Sequence, residues 1–206
     1  MIGRILGLFL LVFSGTAGAA TGPVLVLGDS LSAAYRIPPE TGWVHLLEAR
    51  LQQSPSPRPV INASISGETT SGGLARLPPL LVEHKPALVV VELGANDGLR
   101  GLPLTEIRAN LTRIIQASRE AGAAVVLIGI ELPINYGPQY RDGLRSLYRD
   151  MAKEFNLPLV PFLLEGVALN PELMQDDGVH PRAAAEPKVF ENVWPVLEPA
   201  LKALKK

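Results

Sequence analysis

Pro23-Val24-Leu25-Val26-Leu27-Gly28-Asp29-Ser30-Leu31 decides the fold. The apolar run up to Leu27 has no polar face, so it reads as a strand buried on both sides, the situation of a parallel sheet. A small residue, an acid and a hydroxyl then stand where that strand must end. In an open α/β sheet, ligands bind outside the carboxyl ends of the strands. Ser30 therefore lies at the reactive edge and is a nucleophile candidate.

Working outward, the chain repeats the same pattern. From Thr41 or Gly42 to Gln53 it predicts a helix with Val44, Leu47 and Leu51 on one face. The Pro/Ser-rich stretch from Ser54 to Pro59 ends it. Val60 to Ala63 reads as a short second strand, and Ile65 to Thr69 as a loop. Thr70 or Ser71 then caps a helix to about Val82. Ala87 to Leu93, rich in valine, is the clearest strand, followed by the turn-like Gly94-Ala95-Asn96-Asp97-Gly98. Thr105 is the expected cap of a helix with Ile107, Leu111, Ile114 and Ser118 inward, stopped at Gly122. Ala123 to Ile130 and Leu157 to Phe162 are the last strands, with a helix from about Tyr140 to Phe155 between them. A final helix spans Ala183 to Leu204, with Pro187, Pro195 and Pro199 as expected breaks or kinks. Five strands alternating with helices predict one domain, a three-layer α/β/α sandwich around a parallel sheet.

The N-terminus reads differently. Arg4, an apolar run from Ile5 to Phe13 and Ala17-Gly18-Ala19 have the layout of a secretory signal peptide over residues 1–19, leaving a domain over 20–206. The run is too short for a stable membrane span. The expected location is periplasmic or secreted, and the mature chain is expected to be a monomer. Cleavage removes Arg4 and leaves the chain mildly acidic. With a formal charge of only −1 and few aromatics, the sequence carries no footprint for nucleic acid. There is no cysteine, which excludes disulfides, thiol nucleophiles and thiolate metal sites.

Several polar groups fall at strand ends: Ser30, Gly67, Asn96, and Asp177 with His180 before the last helix. A serine hydroxyl needs an adjacent base, histidine is the usual one, and an aspartate holds its tautomer. Asp177 precedes His180 by three residues, so one local turn can present both. A developing oxyanion needs donors, and the Ser30 amide, the Gly67 amide and the Asn96 side chain can supply them. Gly67 is read here as the position where the missing Cβ allows close approach. Each piece alone has a plainer reading: an ordinary strand-to-helix turn, turn chemistry at Asn96-Asp97-Gly98, a surface turn at Asp177. Asp176 competes for the role of Asp177, and Asp29 is read as stabilising its own turn. His45 and His84 are read as structural or solvated. Residues 98–102, with leucines between glycines, are expected to be movable and to line an apolar groove with residues 132–136 opposite.

The blocks Gly28-Asp29-Ser30-Leu31, Gly67, Gly94-Ala95-Asn96-Asp97 and Asp177-Gly178-Val179-His180 together resemble the SGNH (GDSL) hydrolase superfamily. The longer matches Asn62-Ala63-Ser64-Ile65-Ser66-Gly67-Glu68-Thr69 and Val91-Glu92-Leu93-Gly94-Ala95-Asn96-Asp97-Gly98-Leu99-Arg100-Gly101 resemble its periplasmic thioesterase branch. Only Asp177 fits the family's D-x-x-H spacing. The resemblance implies a flavodoxin-like sheet of order 2-1-3-4-5, with Ser30, His180 and Asp177 as triad. It also implies Ser30, Gly67 and Asn96 as oxyanion hole, hydrolysis of acyl thioesters, aryl esters and lysophospholipids, and no cofactor or metal. Ala95 departs from the family's usual second glycine, and Ile37-Pro38-Pro39-Glu40 from its usual loop. The competing readings are a carbohydrate deacetylase and a non-catalytic lipid- or polysaccharide-binding module on the same sandwich.

Overall fold

Strands β1 (Val24–Gly28) and β3 (Leu88–Glu92) are buried along their whole length. Only the middle of a sheet covered on both faces does this, so these two strands set the core. The computed structural model describes residues 21–204, and the leader read over residues 1–19 lies outside them. Strand β2 (Val60–Asn62) pairs with β1 on one side, and β4 (Ala124–Ile128) and β5 (Leu159–Val160) extend the sheet beyond β3. The order is β2-β1-β3-β4-β5 and every pairing is parallel. In register, Gly28 stands opposite Glu92, so the ends of the two central strands are level at the edge where the polar residues gather.

Helices α1 (Trp43–Gln52) and α6 (Glu186–Ala203) pack on each other over one face. Helices α2 (Thr70–His84), α4 (Leu104–Glu120) and α5 (Pro138–Glu154) cover the other. The predicted inward stripe of α4 is buried as expected: Ile107, Leu111, Ile114 and Ser118. Burying each such aliphatic side chain contributes roughly 1.5–3 kcal/mol.

The differences from the sequence reading have local causes. Helix α2 starts one residue earlier than expected, because the Thr69 hydroxyl accepts the Gly72 N–H. Helix α4 begins at Leu104, following Pro103 at φ −57°, so Thr105 caps nothing. Pro195 and Pro199 do not end α6. Both lie on its exposed face, so the carbonyls they leave unpaired meet water. Strand β5 is cut to two residues, as Pro161 has no N–H to continue the ladder. The turn-like Gly94–Gly98 stretch is largely a short helix, α3 (Ala95–Leu99), entered through Gly94 at φ +120°.

Candidate active site

The turn after β1 is tight. The Asp29 carboxylate accepts the Leu31 N–H at 3.0 Å, and the Ala33 and Tyr35 amides donate to the Asp29 and Ser30 carbonyls. Gly28 is required here, since a Cβ would sit 2.8 Å from Ser32 and from the Ser64 hydroxyl. Ser30 is thereby lifted off the end of the central strand.

Its hydroxyl meets a partner 150 residues away. Ser30 Oγ lies 2.8 Å from His180 Nε2, and His180 Nδ1 lies 2.8 Å from Asp177 Oδ2. The other Asp177 oxygen accepts the Val179 and His180 amides, each at 3.0 Å. Partial burial pushes the Asp177 carboxyl up, but these amides and the imidazole outweigh it and hold the group down at about 2. It is therefore an anion at any working pH. Asp176 points elsewhere and pairs with Arg182 on the surface.

The loop carrying His180 is folded back by a Met174–Pro181 bridge and by the Gln175 N–H donating to the His180 carbonyl. The Gln175 side chain donates at 2.9 Å to both the Pro181 and Tyr35 carbonyls, tying the histidine loop to the serine turn. The Tyr35 ring lies 4.4 Å from the imidazole, centroid to centroid.

Asn96 bridges two segments. Its Nδ2 donates to Asp29 Oδ2 at 3.1 Å and to the Glu68 carbonyl at 2.9 Å, which places the amide between the Ser30 turn and the Gly67 loop. Among the described residues, neither the Ser30 nor the Gly67 N–H donates to a protein acceptor. Gly67 sits at φ +81°, and nothing lies within 4 Å of where a Cβ would be. The glycine is thus required by the left-handed backbone, and crowding by the protein plays no part.

The chain as a whole matches a known family. The model of the GDSL-like lipase/acylhydrolase family covers residues 26–186. The chain belongs to this family. It is 51% identical over 186 residues to esterase TesA of Pseudomonas aeruginosa, covering 90% of this chain and 92% of that one. It is 45% identical over 192 residues to thioesterase 1/protease 1/lysophospholipase L1 of Escherichia coli K12, covering 93% and 90%. Among solved structures it resembles the psychrotrophic esterase EstA of Pseudoalteromonas sp., inhibited by monoethylphosphonate. There the TM-score is 0.83 at 40% identity, covering 88% of this chain and 99% of that one.

In this GDSL hydrolase Ala95, the departure noted above, is helical and its methyl is packed inside. Residues 98–102 are fastened: the Tyr136 and Tyr140 hydroxyls donate to the Leu99 and Leu102 carbonyls, so the two expected groove walls are joined. Leu132 is buried against Gly98, while Ile134 is 79% exposed on the rim. His45 is about half exposed beside Glu48, and His84 lies beside Glu83. Among the described residues no group of three His, Asp or Glu could hold a metal ion, and no helix is long and apolar enough to cross a membrane.

Sequence reasoning missed three supporting residues. Asp97, 1% exposed, accepts the Thr70 N–H at 2.9 Å and the Thr70 hydroxyl, pinning α2 and the Gly67 loop to α3. Glu92 is completely buried at the end of β3. A charge closing a valine run was the signal for it. Gln175 carried no such signal.

Proposed function

We propose that the chain is a serine acyl hydrolase in which Ser30 is the nucleophile, His180 the base and then the acid, and Asp177 its orienter. The Ser30 and Gly67 amides and the Asn96 side chain form the oxyanion hole. The observation that supports this most is the unbroken line from Ser30 Oγ through His180 to Asp177, two contacts of 2.8 Å joining opposite ends of the chain.

Ser30 Oγ attacks the acyl carbonyl carbon as its proton passes to His180 Nε2. The imidazolium that forms is stabilised by the Asp177 anion at Nδ1. The carbonyl electrons move onto oxygen, facing the two unpartnered amides and the Asn96 Nδ2. On collapse the C–O or C–S bond of the substrate breaks, and the proton on His180 leaves with the alcohol or thiol. Water then repeats the sequence on the acyl-serine, its proton going to His180, and the acid is released with Ser30 restored. Both Asn96 hydrogens are engaged in the free site, so the oxyanion must share the longer bond, the one to Asp29.

The substrates follow from the relatives and the rim. Acyl esters and thioesters, aryl esters and lysophospholipids are the proposed class, because the Escherichia coli relative is named for thioester and lysophospholipid chemistry. Leu99, Leu102 and Ile134 line the acyl side. The test is hydrolysis of p-nitrophenyl esters and acyl-CoA from short to long acyl chains, beside Ser30→Ala. Ser30-dependent activity that rises with chain length is expected. Activity confined to acetyl esters contradicts the lipid reading, and binding without any turnover contradicts the enzyme. We further propose a periplasmic or secreted monomer released after residue 19, to be checked by N-terminal sequencing of the exported protein and its mass by light scattering.

A further inference from the structure

Two carboxyl groups are buried together beneath the serine turn, and the mechanism above uses neither. Asp29 and Glu92 both have no exposed surface. Glu92 ends β3, and Asp29 directly follows β1, whose last residue Gly28 is in register with Glu92. Two adjacent carboxylates cannot both stay ionised in such a place without a compensating cation. None of the groups facing the pair supplies one: Ser32 donates a neutral hydroxyl, Asp97 on α3 is another acid, and Tyr148 on α5 spends its hydroxyl on the Leu93 carbonyl.

The donors around the pair assign the missing proton. Glu92 Oε2 accepts twice, from the Ser32 hydroxyl at 2.7 Å and from the Asp29 N–H at 3.2 Å. Both Asp29 oxygens also accept, Oδ1 from Leu31 N–H and Oδ2 from Asn96 Nδ2. Glu92 Oε1 is the one oxygen of the four with no donor, and it is fully buried. The two residues are in direct contact, since Glu92 Oε2 accepts the Asp29 N–H. A proton on Oε1 gives the unpartnered oxygen of Glu92 a role and leaves the pair a single charge.

We propose that Glu92 is a positioning residue that works in its protonated form, donating to the Asp29 carboxylate, which in turn holds the Asn96 amide and the Ser30 turn in place for the oxyanion. Burial first, and the negative charge of Asp29 second, push the Glu92 carboxyl well up, consistent with the proton residing there. The arrangement has two consequences. Burial raises the Asp29 carboxyl itself to about 7, so with the proton on Glu92 it is Asp29 that is the anionic acceptor above that pH, orienting the Asn96 N–H with a stronger hold than a neutral one. The pair also carries one negative charge where it would otherwise carry two, which lessens repulsion of the oxyanion forming above it.

This inference rests on the Ser30 mechanism, so its test is run on enzyme whose activity is already shown to vanish in Ser30→Ala. Glu92→Gln keeps the shape, the acceptor for Ser32 and a donor for Asp29. Glu92→Leu keeps the volume and removes both. The infrared difference spectrum of wild type minus Glu92→Gln at neutral pH should show the carbonyl stretch of a protonated carboxyl. Glu92→Gln should retain kcat within about threefold, while Glu92→Leu should lower kcat by about tenfold or more with KM little changed, since the loss falls on the transition state. An absent protonated-carboxyl band overturns the proposal, and the spectrum decides even where Glu92→Leu does not fold. So does a Glu92→Leu enzyme with wild-type kcat, or one whose loss lies in KM. Activity surviving Ser30→Ala would instead overturn the mechanism beneath it.

Discussion

Asp177 faces three donors with two oxygens, and the arrangement fixes what its replacement does. An asparagine there keeps the size but offers the wrong hydrogen-bond partner to His180 Nδ1, favouring the tautomer that cannot take the Ser30 proton. Asp177→Asn is expected to lower kcat on the order of 10³–10⁴-fold with substrate binding preserved, measured by steady-state kinetics on an aryl ester. Because the folded group titrates at about 2, below its ordinary value of 3.8, the stability it contributes is complete above that ordinary value and is lost as pH falls toward 2. Acid inactivation at mildly acidic pH is therefore not Asp177 taking up a proton. On the proposed oxyanion role, Asn96→Ala is expected to cost on the order of 10²–10³ in kcat. An unchanged kcat at Asn96→Ala would take Asn96 out of the oxyanion hole.

At the scale of elements, glycines and cross-element caps carry the fold to the site. Gly67 and Gly94 both have positive φ, yet only Gly94 is crowded: a Cβ there would lie 2.2 Å from the Tyr148 hydroxyl, itself bonded to the Leu93 carbonyl. Gly94→Ala is expected to destabilise the protein by about 1–3 kcal/mol more than Gly67→Ala, measured by chemical denaturation. Gly67→Ala should act mainly on kcat, through the position of its N–H. Helix α1 has a glycine N-cap with no side chain to offer, and Glu186, in the first turn of α6, accepts the Trp43 N–H at 2.7 Å instead. Burial raises the Glu186 carboxyl from 4.5 to about 7, with the Trp43 amide opposing it only in part. The folded state then binds more protons than the unfolded one between those values. Stability should fall as pH rises from 4.5 to 7, by up to about 3 kcal/mol from this group, and stay level above. Glu186→Gln keeps the acceptor and should remove that slope, read from unfolding free energies at pH 5 and pH 8.

Across the whole molecule, what was legible depended on range. Buried strands announce themselves as apolar runs, so β1, β3 and β4 were readable to within a residue or two at each end. The proposed triad could be picked out of the sequence because its chemistry needs those residue types and Asp177 sits a fixed step before His180, and the structure brings Ser30, His180 and Asp177 into contact. What was not readable arises between elements. The Asp97–Thr70 bonds that turn an Asn-Asp-Gly sequence into helix α3, the Glu186 cap of α1, and the prolines tolerated on the wet side of α6 depend on neighbours distant in the chain. Strand-end position suggested residues 98–102 and 132–136 as neighbours, but the Tyr136 and Tyr140 hydroxyls that fasten the first segment could not be foreseen. Polar substitutions at Leu99, Leu102 and Ile134 should therefore shift acyl-length preference without changing Ser30 reactivity toward short esters; an unchanged preference would place the acyl chain elsewhere. The central claim is that Ser30 carries the acyl group. Its most direct test is the intact mass and peptide map of enzyme quenched during turnover of a p-nitrophenyl ester, or treated with a phosphonate ester. One acyl or phosphonyl group on the peptide containing Ser30, absent in Ser30→Ala, is the predicted result. An adduct on another residue, or one that persists in Ser30→Ala, would contradict it.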